Sequence, residues 1–221
     1  MYKIKAIAMS LAFFALTAAL ALATTFTISC GKWGGDVKLL ETITDESGKV
    51  QRFEYDKQNR IVKIGDKTIT YADNLITVGT QKYAINGKTI TEDDKPFTIN
   101  GDGYIVNESY GNIDYEYKDG NLIRVFWGES AYEDNYSYDD KKSPFSNCTT
   151  PKWLLQRLSG IYSTGASKNN VVSYEGENGK GTYKYEYDSD GFPLKLTRTY
   201  KPWEGDEVYT TITNYTYYGS K

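Results

Sequence analysis

The chain contains no histidine, and this removes Ser-His-Asp and Cys-His catalysis together with every His-ligated zinc site. Carboxylates remain, 29 of them, and a pair of carboxylates across a cleft hydrolyses glycosides. Here most acids fall in turns or on the outward positions of alternating strands, where solvation accounts for them. No catalytic residue is assigned, and a carboxylate-based glycan hydrolase ranks last among the readings. Asp188-Ser189-Asp190-Gly191 and Asn100-Gly101-Asp102-Gly103 begin like calcium loops. Neither continues to a distal Glu at EF-hand spacing, and both stand where a hairpin turn is wanted, so no metal and no cofactor are expected. Aromatic rings are the third kind of chemistry. Trp127, Trp153 and Trp203 offer faces for sugar stacking, against the ordinary role of such rings in cores. Trp203 is the exception singled out, in Lys201-Pro202-Trp203-Glu204-Gly205-Asp206. An exposed indole beside Glu204 and Asp206 supplies a stacking face and acceptors for hydroxyl groups. The competing reading has Trp203 folded over a sheet edge as a cover.

The two cysteines carry different expectations. Lys3 and Lys5 precede an uncharged, apolar run from Ala6 to Ser29, which reads as an export signal. A run of that length also suits a membrane helix. Thr27-Ile28-Ser29-Cys30, followed by Gly31, resembles the lipobox of bacterial lipoproteins, with Thr27 where Leu is commoner. This resemblance favours a lipoprotein signal: residues 1–29 are expected to be removed and Cys30 to receive the lipid. Gly31 is not an inner-membrane retention Asp, which points to the outer membrane. Gly31-Lys32-Trp33-Gly34-Gly35-Asp36 offers one acid, which favours the periplasmic side over the cell surface. Cys148 then has no intrachain partner, and it is expected to be a partly buried, inert thiol with no histidine to activate it. Two of the 26 basic residues and none of the 29 acids precede Cys30, so the rest of the chain carries a net charge of −5. That balance argues against nucleic acid as a partner.

These groups have to be positioned by β structure. The part from Cys30 onward holds all but one of 21 tyrosines, with only four Ala and nine Leu. Such a composition favours pleated sheet over helix. Residues 30–40 read as the lipid anchor and a flexible tether, and 41–221 as one antiparallel β domain. Hairpin follows hairpin, with Asn, Asp or Gly in each turn. Ile85-Asn86-Gly87-Lys88-Thr89-Ile90 is the tightest. Period-two alternation puts Tyr183, Tyr185 and Tyr187 on one face and Lys184 and Glu186 on the other. In 113–118 it sets Ile113, Tyr115 and Tyr117 against Asp114, Glu116 and Lys118. One face is expected to be aromatic and packed, the other solvated. Strands this short and charged do not suit a membrane-spanning barrel. One short helix near 151–159 breaks the pattern: Thr150 is placed to cap it, Pro151 suits its first turn and Gly160 its end. With Trp153, Leu154, Leu155 and Leu158 on its apolar side, it is expected to plug one end of the curled sheet.

Tyr55-Asp56-Lys57-Gln58-Asn59-Arg60-Ile61 resembles the YD repeat, with Asn59 where that repeat has Gly. The chain from about residue 40 to 218 also resembles a Bacteroidetes lipoprotein family of unknown function with a porin-like β fold. The likeness is sharpest at Pro151-Lys152-Trp153-Leu154-Leu155, with Gly160 and Ser167-Lys168-Asn169-Asn170, and at Tyr185-Glu186-Tyr187-Asp188-Ser189-Asp190-Gly191-Phe192-Pro193-Leu194-Lys195-Leu196. It implies a large antiparallel up-and-down sheet curled towards a barrel, and it brings no activity and no site residues. The expectation is a non-catalytic, lipid-anchored envelope protein that binds or scaffolds. A surface glycan-binding lipoprotein is the alternative. The partners are the membrane through Cys30 and a glycan or envelope protein.

Overall fold

The computed structural model describes residues 37–128, 132–158, 163–205 and 207–219. The chain divides into two compact units, Met1–Gly34 and Gly35–Lys221, and the described residues all belong to the second. The export signal, Cys30, Gly160 and Asp206 lie outside the described residues.

The described residues form sixteen strands. The first eight are β1 (Leu39–Asp45), β2 (Val50–Tyr55), β3 (Ile61–Ile64), β4 (Lys67–Ala72), β5 (Leu75–Val78), β6 (Gln81–Asn86), β7 (Thr89–Glu92) and β8 (Lys95–Ile99). The second eight are β9 (Ile105–Glu108), β10 (Ile113–Lys118), β11 (Asn121–Trp127), β12 (Tyr132–Tyr138), β13 (Val171–Gly176), β14 (Gly179–Tyr187), β15 (Pro193–Pro202) and β16 (Tyr209–Tyr218). Each pairs antiparallel with its sequence neighbours, and β16 returns to β1 with Leu39 opposite Tyr218 and Ile43 opposite Tyr215. The expected up-and-down meander therefore closes completely into a barrel, which leaves no unpaired strand edge. β1 begins two residues before the expected domain start, inside the stretch read as tether, and Lys38 is already fixed by ion pairs to Asp188 and Asp190, each 2.7 Å long.

Alternation sorts the strands as expected: Tyr183, Tyr185 and Tyr187 turn inward while Lys184 and Glu186 are exposed. The inside is a different matter. Eight strands make a barrel that side chains just fill, whereas sixteen leave a wide lumen. Two materials fill part of it here. Aliphatic and aromatic side chains from β1 to β9 form the core, among them Phe53, Ile61, Ile90 and Phe97. Packed on them is the connection 139–170 between β12 and β13, which carries Phe145 and the helix α1 (Lys152–Arg157) with Trp153, Leu154, Leu155 and Leu158 buried. The Trp153 ring lies 5.4 Å from that of Tyr83 and 5.8 Å from that of Phe97.

This plug is held by one device used four times. Hairpin turns at its end of the barrel place Asn59, Gly103, Gly120 and Gly191 at positive φ (62°, 83°, 83° and 81°). The carbonyl of each then accepts a plug N–H: from Thr149 (3.0 Å), Trp153 (2.9 Å), Lys168 (2.9 Å) and Lys142 (3.2 Å) respectively. Immediately afterwards each ladder slips by one residue, and a bulge of this kind leaves a backbone group without its ladder partner. The amide two residues beyond the positive-φ position donates to a plug side chain in three cases. Ile61 N bonds Thr150 Oγ1 (2.8 Å), Ile105 N bonds Gln156 Oε1 (3.0 Å) and Leu122 N bonds Ser167 Oγ (3.2 Å). The fourth turn has Pro193 at that position, which has no N–H to satisfy. Within the turns, Asp56, Asn100 and Asp188 each accept two backbone amides on Oδ1 at 2.9–3.0 Å. The two calcium-like sequences are thus turns.

Three local expectations change. The helix is shorter than 151–159 and starts after Pro151, with no side-chain cap. Thr150 does not cap it, because its hydroxyl is spent on the Ile61 amide; the first-turn amide of Trp153 is satisfied by the Gly103 carbonyl instead. The inward tyrosine face is not packed throughout. From β12 to β16 it borders open space.

Candidate functional site

The space left by the core and the plug is a cavity of about 830 Å³ inside the barrel, within the range of small-molecule sites. Its wall on one side is the inward face of β12 to β16, with Tyr136, Tyr174, Tyr183, Tyr185, Tyr200 and Tyr215. Plug residues such as Ser143, Phe145 and Leu158 reach it from one end. At the other end it is lined by residues of the β1–β2, β3–β4 and β13–β14 turns, including Lys49, Asp66 and Asn178. A plugged end and an open mouth are thus distinguished.

The wall is arranged by the strand register. Arg198 on β15 stands opposite Tyr183 on β14 and Thr211 on β16. Its guanidinium lies 5.7 Å from the Tyr183 ring centroid and 5.5 Å from that of Tyr200. Tyr200 lies across the start of β14, its hydroxyl donating to the Asn178 carbonyl at 2.8 Å. Gly179 makes room for this: a Cβ there would collide with the Tyr200 hydroxyl and the Lys201 carbonyl.

The polar groups of the wall divide into engaged and free. Asp134 accepts the Tyr174 hydroxyl (3.0 Å) and the Trp127 indole N–H (3.3 Å). Arg198 has no carboxylate partner among the described residues, and its buried Nε has no hydrogen-bond acceptor. The hydroxyls of Tyr136 and Tyr185 likewise have no hydrogen-bond partner among the described residues. Burial pushes both phenols well above their ordinary range. They stay protonated at neutral pH and act as neutral donors and acceptors.

The inward acids nearest the plug are committed to structure. Arg157 of α1 reaches Glu108 (Nη2 to Oε2, 2.7 Å) and Glu92 (Nε to Oε2, 3.6 Å). The other oxygen of Glu108 accepts the Tyr115 hydroxyl, and that of Glu92 accepts the Gln81 amide. Among the described residues, no group of three or more acidic or cysteine side chains is gathered as for a metal ion. The Cys148 thiol is partly buried, and desolvation raises its pKa, so it is a poor nucleophile.

Sequence reasoning placed its site elsewhere. Trp203 and Glu204 sit in the β15–β16 connection at the open end, and neither lines the cavity. Trp203 is 50% exposed, and its indole N–H donates to the Gly176 carbonyl across the β13–β14 turn at 2.8 Å. The N–H is thus engaged while half of the ring stays exposed, and the closed barrel has no sheet edge for it to cover. Glu204 is exposed; Asp206 and Cys30 lie outside the described residues. Arg198 and the tyrosine wall were missed as a site. Alternation marked the inward face, but nothing local says that the opposite side of the lumen is empty.

No family model matches the chain. Over 176 residues, 73% of this chain, it is 22% identical to a tRNA3(Ser)-specific nuclease, WapA, of Bacillus spizizenii, and it spans only 7% of that protein. Among solved structures, a porin-like protein from Bacteroides uniformis superposes with a TM-score of 0.51 at 16% identity, covering 81% of this chain and 95% of that one. A porin-like protein from Bacteroides vulgatus gives 0.49 at 14% identity, covering 80% and 98%. The chain therefore has the fold of a porin-like protein: an all-β antiparallel barrel, here of sixteen strands with one short helix.

Proposed function

We propose that the protein is a non-catalytic envelope lipoprotein, anchored through Cys30 to the outer membrane on its periplasmic side, that binds a small ligand in the barrel lumen. The observation that carries the binding reading is the combination of a plugged end, an open mouth and a tyrosine wall with unspent hydrogen-bonding groups. Such a concave, mostly apolar site with a few fixed polar groups is the usual form of a ligand pocket. The non-catalytic part rests on the absence of histidine and on the commitment of Glu92, Glu108 and Asp134 to other partners. The outward positions of β14 to β16, among them Lys184, Glu186, Lys195 and Asn214, are mostly polar, with Leu194 and Ile212 as exposed exceptions, whereas a membrane-spanning barrel needs a continuous apolar outer band. A lipid is therefore proposed as the means of attachment.

Cys30→Ala tests the anchor in the full chain expressed in cells. The expected result is an unprocessed precursor or soluble release. Normal cleavage with continued membrane fractionation and no acylation would overturn it. A glycan array with the full chain addresses the alternative reading of a glycan-binding lipoprotein, which Trp203, half-exposed at the mouth, favours.

A further inference from the structure

We propose that the lumen site takes a small ring-bearing anion, with Arg198 pairing its carboxylate or sulfate and the surrounding tyrosines holding its ring. The proposal rests on the reading of the lumen as a binding site and adds the class of ligand.

The argument starts from the cost of Arg198. A guanidinium is charged at every physiological pH and carries five N–H donors. Arg198 is half-buried with its Nε fully buried, and taking part of such a group out of water unpaired costs free energy that a carboxylate ordinarily relieves. The contrast inside this barrel is direct. Arg157, the other arginine lining the cavity, bridges two glutamates. Arg198 has no carboxylate partner among the described residues; a buried Nε without a hydrogen-bond acceptor is common to both arginines, so the missing carboxylate is what sets Arg198 apart. The lumen acid on the same side, Asp134, is engaged by Tyr174 and Trp127. What Arg198 does have is two aromatic neighbours, Tyr183 and Tyr200. Such rings stabilise a cation and fix its plane while leaving its donors free. A planar fork held in this way matches the two oxygens of a carboxylate or sulfate.

The same wall suits a ring beside the anion. Tyr136 and Tyr185 contribute hydroxyls with no partner among the described residues, and Thr211 and Thr213 line the cavity beside Arg198. Phenol faces stack on flat or chair-shaped rings, and hydroxyls meet ring substituents. The cavity's 830 Å³ admits one or two rings but not a polymer. The net negative charge of the chain disfavours long polyanions, yet one half-buried cation in the lumen still selects a single anionic group. An acidic sugar and an aromatic acid share this chemistry, and the test separates them.

The full, processed chain is titrated by calorimetry with four probes: glucuronate, 4-hydroxyphenylacetate, and their neutral counterparts glucose and phenol. At least one acid is expected to bind ten-fold or more tighter than its neutral counterpart. Whichever acid does so identifies the source as sugar or aromatic acid. Arg198→Gln is expected to abolish that preference and Arg198→Lys to keep part of it. Raising the salt concentration should weaken the acid in the wild-type chain and leave the neutral probe unchanged, a readout that holds if the Gln variant fails to fold. Binding of neutral probes alone, or of acids with the same affinity in a folded Arg198→Gln variant, overturns the anion assignment and leaves the lumen-binding reading standing. If none of the four binds, the anion assignment fails, and uptake of other compounds on the glycan array decides the broader reading separately.

Discussion

Leu154→Ala measures whether plug and barrel fold as one unit. Leu154 is fully buried in the core that α1 shares with β1 to β9. The substitution removes three carbons, and the lost transfer term at ~0.8 kcal/mol per methylene is ~2.4 kcal/mol. A cavity term is added, because the surroundings relax only partly. Here relaxation is hindered. The Trp153 amide is held by Gly103 O, the Gln156 side chain by the Ile105 amide, and Arg157 by Glu108, so the helix is not free to settle into the gap. A total of ~3–5 kcal/mol follows, the upper part of the range for leucine truncation in a core. For a domain of this size that lowers the melting temperature by roughly 10 °C. Urea unfolding followed both by the β band of circular dichroism and by tryptophan fluorescence is the assay, and the two probes should shift together. A loss under about 1 kcal/mol, or fluorescence that moves while the β band does not, would mean that the plug is a separate, loosely docked segment. The reasoning about the shared core would then be wrong.

Trp203→Ala should cost about 1 kcal/mol, for one hydrogen bond to Gly176 and a half-exposed ring, well below the ~3–5 kcal/mol of a buried tryptophan; a loss in that larger range by thermal melting would show a covering role. The Lys38 clamp makes an acid-side prediction. Burial of Asp188 opposes its ionisation, but the Lys38 ammonium and the Phe192 amide outweigh it and hold the carboxyl below its ordinary value. The hydrogen bonds to Asp188 and Asp190 raise Lys38. An acid with a lowered native pKa stabilises fully above its unfolded value of ~3.9 and loses that contribution as pH falls through the native value. The raised Lys38 contributes below ~10.4 and is lost as pH rises through its higher native value. The clamp is therefore at full strength between roughly pH 5 and 9. Lys38→Met should lower the urea midpoint at pH 7, and the gap to wild type should narrow below about pH 4; a constant gap down to pH 2 would refute the linkage.

Much of the architecture was legible from residue order because sheet alternation and turn chemistry are local. Tyr183, Tyr185 and Tyr187 share a face by period two whatever they face, and Asp188-Ser189-Asp190-Gly191 makes its turn from its own backbone and carboxylate. The repeated turn was visible as well, but not its purpose. That Asn59, Gly103, Gly120 and Gly191 all offer carbonyls to one distant segment depends on four hairpins meeting at one end of a closed barrel. Thr150 shows the same limit on a smaller scale: a local rule made it a helix cap, and a strand amide 89 positions away in the chain claimed its hydroxyl. The site was hidden for a related reason. Whether an inward tyrosine is packed or faces a cavity depends on how wide the barrel closes and how far the plug reaches, and both are set by all sixteen strands together. Trp203 drew attention because local polarity marks exposure, while Arg198 reads as an ordinary strand cation until closure turns it inward. Residue order determined the strands, their faces and their turns; tertiary structure alone decided the closure, the plug and the empty half of the lumen, because these depend on contacts between residues far apart in the chain.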